Sequence, residues 1–445
     1  MDKRRYGLFT AITMIIGVVI GSGIFFKADN VLSYTNGNVL LGIIIFCVAA
    51  IAIIFGCLTI SQLATRTDKP GGVIAYTEEF VGIGPSCAFG WFQTFLYLPT
   101  LAAVVAWVSG IYISQLFGLE ITLERTTLIG VGCLTVLFIT NTLSAKAGGY
   151  IQNSSMVIKM IPLLIIALAG LFLGNPTGLI VEDVAGFGQA RAAGGWLAAF
   201  APIAFSFDGW IVATSICNEI KNSKRNLPLA LTISPLVILL VYVMYFVGIT
   251  ALLGPETVLE QGDGSAFMAA TKLFGNIGAK FILIFVVISV LGTVNGITLG
   301  FIRMPYSLAL RNMIPGSGIL KKENEKLAGM PLNSAIFAYA LSMFWMIIHY
   351  ITQKFGMKGD VSEIAIGVSY LNFIVLYYAV MRLAKKGQIK GVIKGYIIPA
   401  LACIGSLVII SGSVTHPLFL YYFLVCFSIL LAGFLYYRNN KARVQ

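Results

Sequence analysis

The chain reads as an all-α polytopic membrane protein with twelve transmembrane helices, and three observations carry that reading. Of its 445 residues, 58% are hydrophobic and only 11% charged, with a mean hydropathy of +0.90; a soluble domain carries about 25% charged residues. The apolar residues fall in runs long enough to cross a bilayer, which takes about 20 residues of helix. The first and the sixth runs are each broken at mid-membrane. They cross in opposite directions, which is the pattern of an inverted repeat.

Taken in order, the basic start Met1 to Arg5 leads into a first span at about 6–32. That run is too long for a signal peptide, and no small-residue cleavage site follows a short core. Further spans read as 38–65, 86–117, 126–142, 149–174, 196–220, 227–253, 278–311, 332–352, 361–383, 392–413 and 417–437. Residues 1–174 (spans one to five) and 175–383 (spans six to ten) are expected to be the two repeats. Residues 384–445 carry two accessory helices and the C-terminal segment.

Charge gives the orientation. With the N-terminus inside, 22 of the 30 Lys and Arg fall in cytoplasmic segments, seven in outer ones and Lys159 within a span. Basic residues concentrate on the cytoplasmic side of membrane proteins, so both termini are expected there. The net charge of +12 is spread in short clusters between spans and no nucleic-acid motif accompanies it, so a nucleic-acid partner is excluded. The basic loops 311–326 and 382–394 read as lipid-headgroup anchors. All seven cysteines lie in or beside apolar segments without metal or redox spacing, and the two histidines are far apart. No metal, cofactor or enzymatic centre is expected.

The first break, Gly17 to Phe26, places three glycines and a serine where a stable helix would carry leucines. An unpaired backbone group in hydrocarbon costs several kcal/mol, so such a break persists only where protein or a water-filled cavity covers it. Its free N–H groups suit a carboxylate and its free carbonyls an ammonium. A packing role, in which the glycines merely let another helix approach, is the simpler reading. The second break, Phe200 to Trp210, gathers Pro202, Ser206, Asp208 and Gly209. Pro202 alone would explain a kink but leaves the intramembrane carboxylate of Asp208 unexplained. Only Lys159 and Asp208 read as ionisable groups well inside the spans. Lys159 lies ten residues into span five, near the middle of a core about 30 Å thick.

Gly21-Ser22-Gly23-Ile24-Phe25, the loop Lys69-Pro70-Gly71-Gly72-Val73-Ile74-Ala75-Tyr76, the stretch Phe205 to Trp210, and Asn218-Glu219-Ile220-Lys221-Asn222 followed by Asn226-Leu227-Pro228 resemble the amino acid-polyamine-organocation superfamily. Within it they are most similar to bacterial relatives of the L-type amino acid transporters. The likeness covers spans one to ten in order. It implies the LeuT-type fold with five-plus-five inverted repeats and broken helices one and six. It also implies alternating access in the cell membrane and an amino acid substrate.

Residue by residue, the resemblance gives the substrate carboxylate to the N–H groups of Ser22, Gly23 and Ile24 beside Gly21. The ammonium goes to carbonyls of Val19, Ile20, Phe205 and Asp208. Ser206, Phe207, Gly209 and Trp210 complete the site, and Phe205 matches an aromatic gate. A valine at Gly23 would fill the carboxylate position and is expected to abolish binding with folding largely intact. Lys159 matches a lysine that takes the place of the sodium ion of coupled relatives, bridging span one to span eight, where Thr293 is the chosen partner.

The expected function is therefore sodium-independent amino acid exchange. Proton-coupled symport, polyamine transport and non-transporting amino acid sensing are the alternatives. Departures from the family pattern also carry expectations. The outer loop 117–125 lacks the cysteine that bonds a heavy chain in animal relatives, so no disulfide-linked heavy chain is expected. Ile211 stands where some relatives have asparagine. Asp208 is expected to favour substrates with a polar or cationic side chain.

Overall fold

A computed structural model describes residues 7–21, 23–67, 69, 72–211, 220–327, 329–357, 360–414 and 419–444. Among them the regular structure is helical, with a single isolated bridge between Asn324 and Met330, and nine helices are long and apolar enough to cross a membrane by themselves. A bent pair of helices in span five makes a tenth, and the two remaining expected spans, one and six, are present among the described residues as shorter, interrupted apolar helices. Span one is two short helices, Leu8–Val19 and Gly23–Tyr34. Span six begins as a 3-10 turn at Trp196–Ala199, continues as Phe200–Ser206 and unwinds at 207–210. Span five, Ala145–Leu173, bends by 82° into a further helix, Pro176–Ala192. Residues 212–219, which include Cys217, Asn218 and Glu219, lie outside the described residues, as do Ser22 and His416.

The helix Pro176–Ala192 was expected to be loop. Its Asp183 side chain accepts the Leu40 N–H at 2.9 Å, at the start of span two (Val39–Ala64), and Asn38 Nδ2 donates to the Asp183 carbonyl. A carboxylate there satisfies one orphan donor of a helix N-terminus and complements its dipole. Span eight is also longer than read. It forms part of Ser265–Leu310, with a break at Gly275, whose φ of 67° only glycine adopts readily.

The chain divides into two compact units that interleave in sequence. The first comprises residues 1–68, 157–288 and 373–417. In it, span two packs against span seven (Ser223–Leu253) and span eleven (Ile398–Val414), and Leu8–Val19 packs along span seven.

The second unit comprises residues 69–156, 289–372 and 418–445. Span three (Ile83–Phe117), span four (Leu123–Leu143) and span nine (Leu332–Lys354) pack together there, with span twelve (Phe419–Asn439) along the start of span three. A π-helical turn at Gln93–Tyr97 interrupts the α-helical bonding of span three, and the Phe95 carbonyl accepts Trp345 Nε1 of span nine at 2.8 Å. Buried amides bind this unit internally. Asn141 Nδ2 donates to Thr298 Oγ1 at 2.7 Å, and Asn295 Nδ2 to the Gly148 carbonyl at 2.9 Å. At one end Arg311 pairs with Glu78 at 2.8 Å.

Candidate functional site

The two breaks lie in the first unit and touch. Leu8–Val19 stops because Ile20 turns extended, with ψ 104°, after its N–H has reached the Ile16 carbonyl. A new helix starts at Gly23, so the N–H groups of Gly23, Ile24 and Phe25 stand in its first turn, without intrahelical partners. A Cβ on Gly23 would lie 2.9 Å from Ser206 Cα and 3.2 Å from Phe205 Cδ1. The glycine is therefore what allows the outer half of span one to reach the point where span six unwinds. That contact also revises the expectation for valine at Gly23. The first atom of a side chain meets span-six backbone, so folding is disturbed as well as any ligand position.

Most of the expected site residues are buried. Val19, Ile20, Ile24, Phe205, Ser206, Phe207 and Trp210 are all below 8% exposed, while Asp208 and Gly209 are half-buried. Span six ends its helix with Phe207 N–H on the Ile203 carbonyl and Asp208 N–H on the Phe205 carbonyl at 3.1 Å, followed by Gly209 at φ 97°. The rings of Phe207 and Trp210 pack edge-on against Tyr242 and Phe373. Those two side chains act by holding the unwound segment.

Tyr242, of span seven, was not among the expected residues. Its hydroxyl lies 2.7 Å from the Ser206 carbonyl and 3.2 Å from that of Val19, within donating distance of both breaks. Burying an unsatisfied carbonyl costs about 1–3 kcal/mol. One hydroxyl therefore stabilises both unwound segments and fixes their relative position. Nothing in the local sequence separates this tyrosine from the other 18.

Lys159 is 1% exposed, and its ammonium donates to the Gly17 carbonyl. Gly17 lies in the last turn of Leu8–Val19, where the carbonyls have lost their intrahelical donors and the helix dipole is negative. The lysine is thus tied to a broken helix's C-terminal end. Thr293 belongs to the second unit and donates its hydroxyl to Ser289 of its own helix at 3.1 Å. In that unit Ser155 packs directly on Gly292, so span five approaches span eight one residue from Thr293.

A second lysine was missed. Lys27, which the sequence reading did not single out, is 4% exposed, and its ammonium lies 5.1 Å from the centre of the Phe205 ring. It interacts electrostatically with Asp29 and Asp263. Spacing was the available signal, because Lys27 follows Gly23 by one helical turn and shares its face.

Two discontinuous helices that bring together a helix N-terminus, unwound backbone and a buried lysine within the span define a membrane carrier of the discontinuous-helix class. Residues 6–443 match the amino acid permease family, and the chain belongs to it. It is 29% identical to the serine/threonine exchanger SteT of Bacillus subtilis, over 89% of this chain and 86% of that one. It is 28% identical to the human b(0,+)-type amino acid transporter 1, over 98% and 87%. With the human cystine/glutamate transporter it shares 26% identity, over 84% and 74%.

Proposed function

We propose that this permease exchanges α-amino acids across the cell membrane by alternating access, independently of sodium. The substrate sits between the breaks of spans one and six. Its carboxylate meets the N–H groups of Ser22, Gly23 and Ile24 and its ammonium meets carbonyls of Val19, Ile20, Phe205 and Asp208, with Phe205 as the outer gate. Residues 1–174 and 175–383 act as inverted repeats, both termini face the cytoplasm, and no disulfide-linked heavy chain is required.

The observation that carries sodium independence is the Lys159 ammonium on the Gly17 carbonyl. A cation fixed to the chain already supplies the charge that a coupled ion would bring to the end of that half-helix. The exchange reading draws support from relatives named as exchangers and transporters of amino acids.

Uptake into proteoliposomes, with an amino acid panel inside and outside and with sodium and pH varied, tests it. Uptake should need internal amino acid and ignore sodium. Strong sodium dependence would contradict the role of Lys159, and uptake driven by an inward proton gradient into empty vesicles would favour symport. Competition by putrescine but not by amino acids would indicate a polyamine carrier.

A further inference from the structure

The outer half of span one carries more than the presumed carboxylate site at its start. Gly23 and Lys27 are one turn apart on one face of Gly23–Tyr34, and Phe205 lies along that face. At 5.1 Å from the ring centre, the Lys27 ammonium is within the roughly 6 Å over which a cation is attracted to an aromatic face. Lys27 is almost wholly buried, so water competes little for it.

Two acidic residues interact with it electrostatically. Asp29 lies on its own helix, and Asp263 lies in the 3-10 turn Gly262–Gly264 between spans seven and eight. That turn packs against Gly23–Tyr34, and a Cβ on Gly262 would lie 3.6 Å from Asp29 Oδ2. From span seven, Tyr245 faces Asp29 and touches Phe25.

We propose that Lys27 is a positioning residue of the outer gate, whose ammonium holds the Phe205 ring in its closed rotamer against the substrate site. The proposal rests on the gate reading of Phe205 given above. Because Lys27 and Gly23 belong to one short helix, the ring is tied to the same rigid piece that offers its N–H groups to the substrate. Opening the gate separates ring and cation or carries the helix along.

A double-mutant cycle tests this. External half-saturation and maximal uptake are measured for wild type, Lys27→Met, Phe205→Leu and the double variant, with Lys27→Arg as the conservative control. In the wild-type background Lys27→Met should raise external half-saturation about fivefold or more, with the maximal rate within about twofold, and Lys27→Arg should stay within about twofold of wild type. In the Phe205→Leu background Lys27→Met should add nothing. Equal losses in both backgrounds, or a wild-type half-saturation in Lys27→Met, would overturn the proposal.

Should Lys27→Met not reach the membrane, stepwise fluorination of a phenylalanine installed at Phe205 weakens the ring's attraction for a cation with little change of shape. External affinity should then fall with each fluorine, and a flat series would overturn the proposal. Melting temperatures of the four purified proteins read the same pair without any transport. Non-additive shifts support the Lys27–Phe205 contact even if the wild type takes up no amino acid, an outcome that would remove the function reading and leave the contact standing. Additive shifts would refute it.

Discussion

At the residue scale, single atoms satisfy the backbone that the breaks leave open. The Tyr242 hydroxyl sits within reach of carbonyls from both breaks, and the Lys159 ammonium takes a third at Gly17. Tyr242→Phe keeps the ring against Phe207 but removes the donor. It should cost about 1–3 kcal/mol, seen as a lower melting temperature, together with weaker substrate binding as the unwound segments lose their register. A Tyr242→Phe protein that melts and binds like wild type would show that the hydroxyl contributes nothing there.

Lys159→Met removes a charged hydrogen bond at a helix C-terminus, worth about 1.5–3 kcal/mol. Uptake should fall at least tenfold, and added sodium should not restore it unless the ion can occupy the vacated position. The two residues differ in legibility. A lysine ten residues into an apolar run announces itself, because an unpaired ammonium at that depth is costly. A tyrosine in the same setting is chemically ordinary, and only the fold shows which carbonyls it reaches.

At the element scale, hydropathy made most of the architecture legible. It located the spans and both breaks, because glycine, serine and proline within an apolar run weaken a helix whatever surrounds it. It did not reveal Pro176–Ala192, whose polar and glycine-rich composition reads as loop and whose helix is docked by a tertiary contact at Asp183. Nor did it reveal the π-turn at Gln93–Tyr97, where Trp345 takes the Phe95 carbonyl from another span. Lys27 was passed over although it falls within the expected first span, because sequence alone does not show that it meets Phe205 of span six.

The turn between spans seven and eight gives a pH prediction. Burial, with the neighbouring Asp29 carboxylate, pushes Asp263 up to about 7. An acid whose pKa is higher in the folded state favours folding in its protonated form. Its contribution is complete below the ordinary carboxylate value near 4 and is lost as pH rises through 7. Asp263→Asn mimics the protonated acid. Its melting temperature should equal the wild type's near pH 4.5 and exceed it by a few degrees at pH 8. A constant offset across that range would assign the effect to packing.

At the same scale Gly23→Ala places one carbon 2.9 Å from the Ser206 backbone. Span six must then shift, so transport should fall to a few per cent or less, with a measurable loss of stability. A fully active Gly23→Ala would mean that the two breaks do not close on each other as described.

At the scale of the whole molecule, a lysine standing in place of sodium, as proposed, would set the energetics of the cycle. A carrier that binds sodium beside its substrate can draw on the sodium gradient, because the ion is released on the far side. An ammonium covalently attached to span five never leaves, so its interaction with the Gly17 carbonyl can stabilise a state but cannot supply net work to accumulate substrate. On the proposed sodium-independent reading, and with a lysine that keeps its proton through the cycle, the gradient left to drive uptake is that of another substrate molecule moving the other way, provided that the empty carrier reorients slowly.

Vesicles preloaded with an amino acid that the uptake panel identifies as substrate should take up its labelled form at least tenfold faster than empty ones. Efflux of that labelled substrate should stall until amino acid is added outside, at every sodium concentration. Asp208 is half-buried in the unwound part of span six, and the selectivity proposed for its carboxylate is read from the counter-substrates that serve. Arginine and lysine should lose potency selectively as external competitors in Asp208→Asn, while leucine keeps its own. A uniform loss across the panel would place Asp208 in the scaffold of the break, and equal uptake by empty and loaded vesicles would rule out exchange.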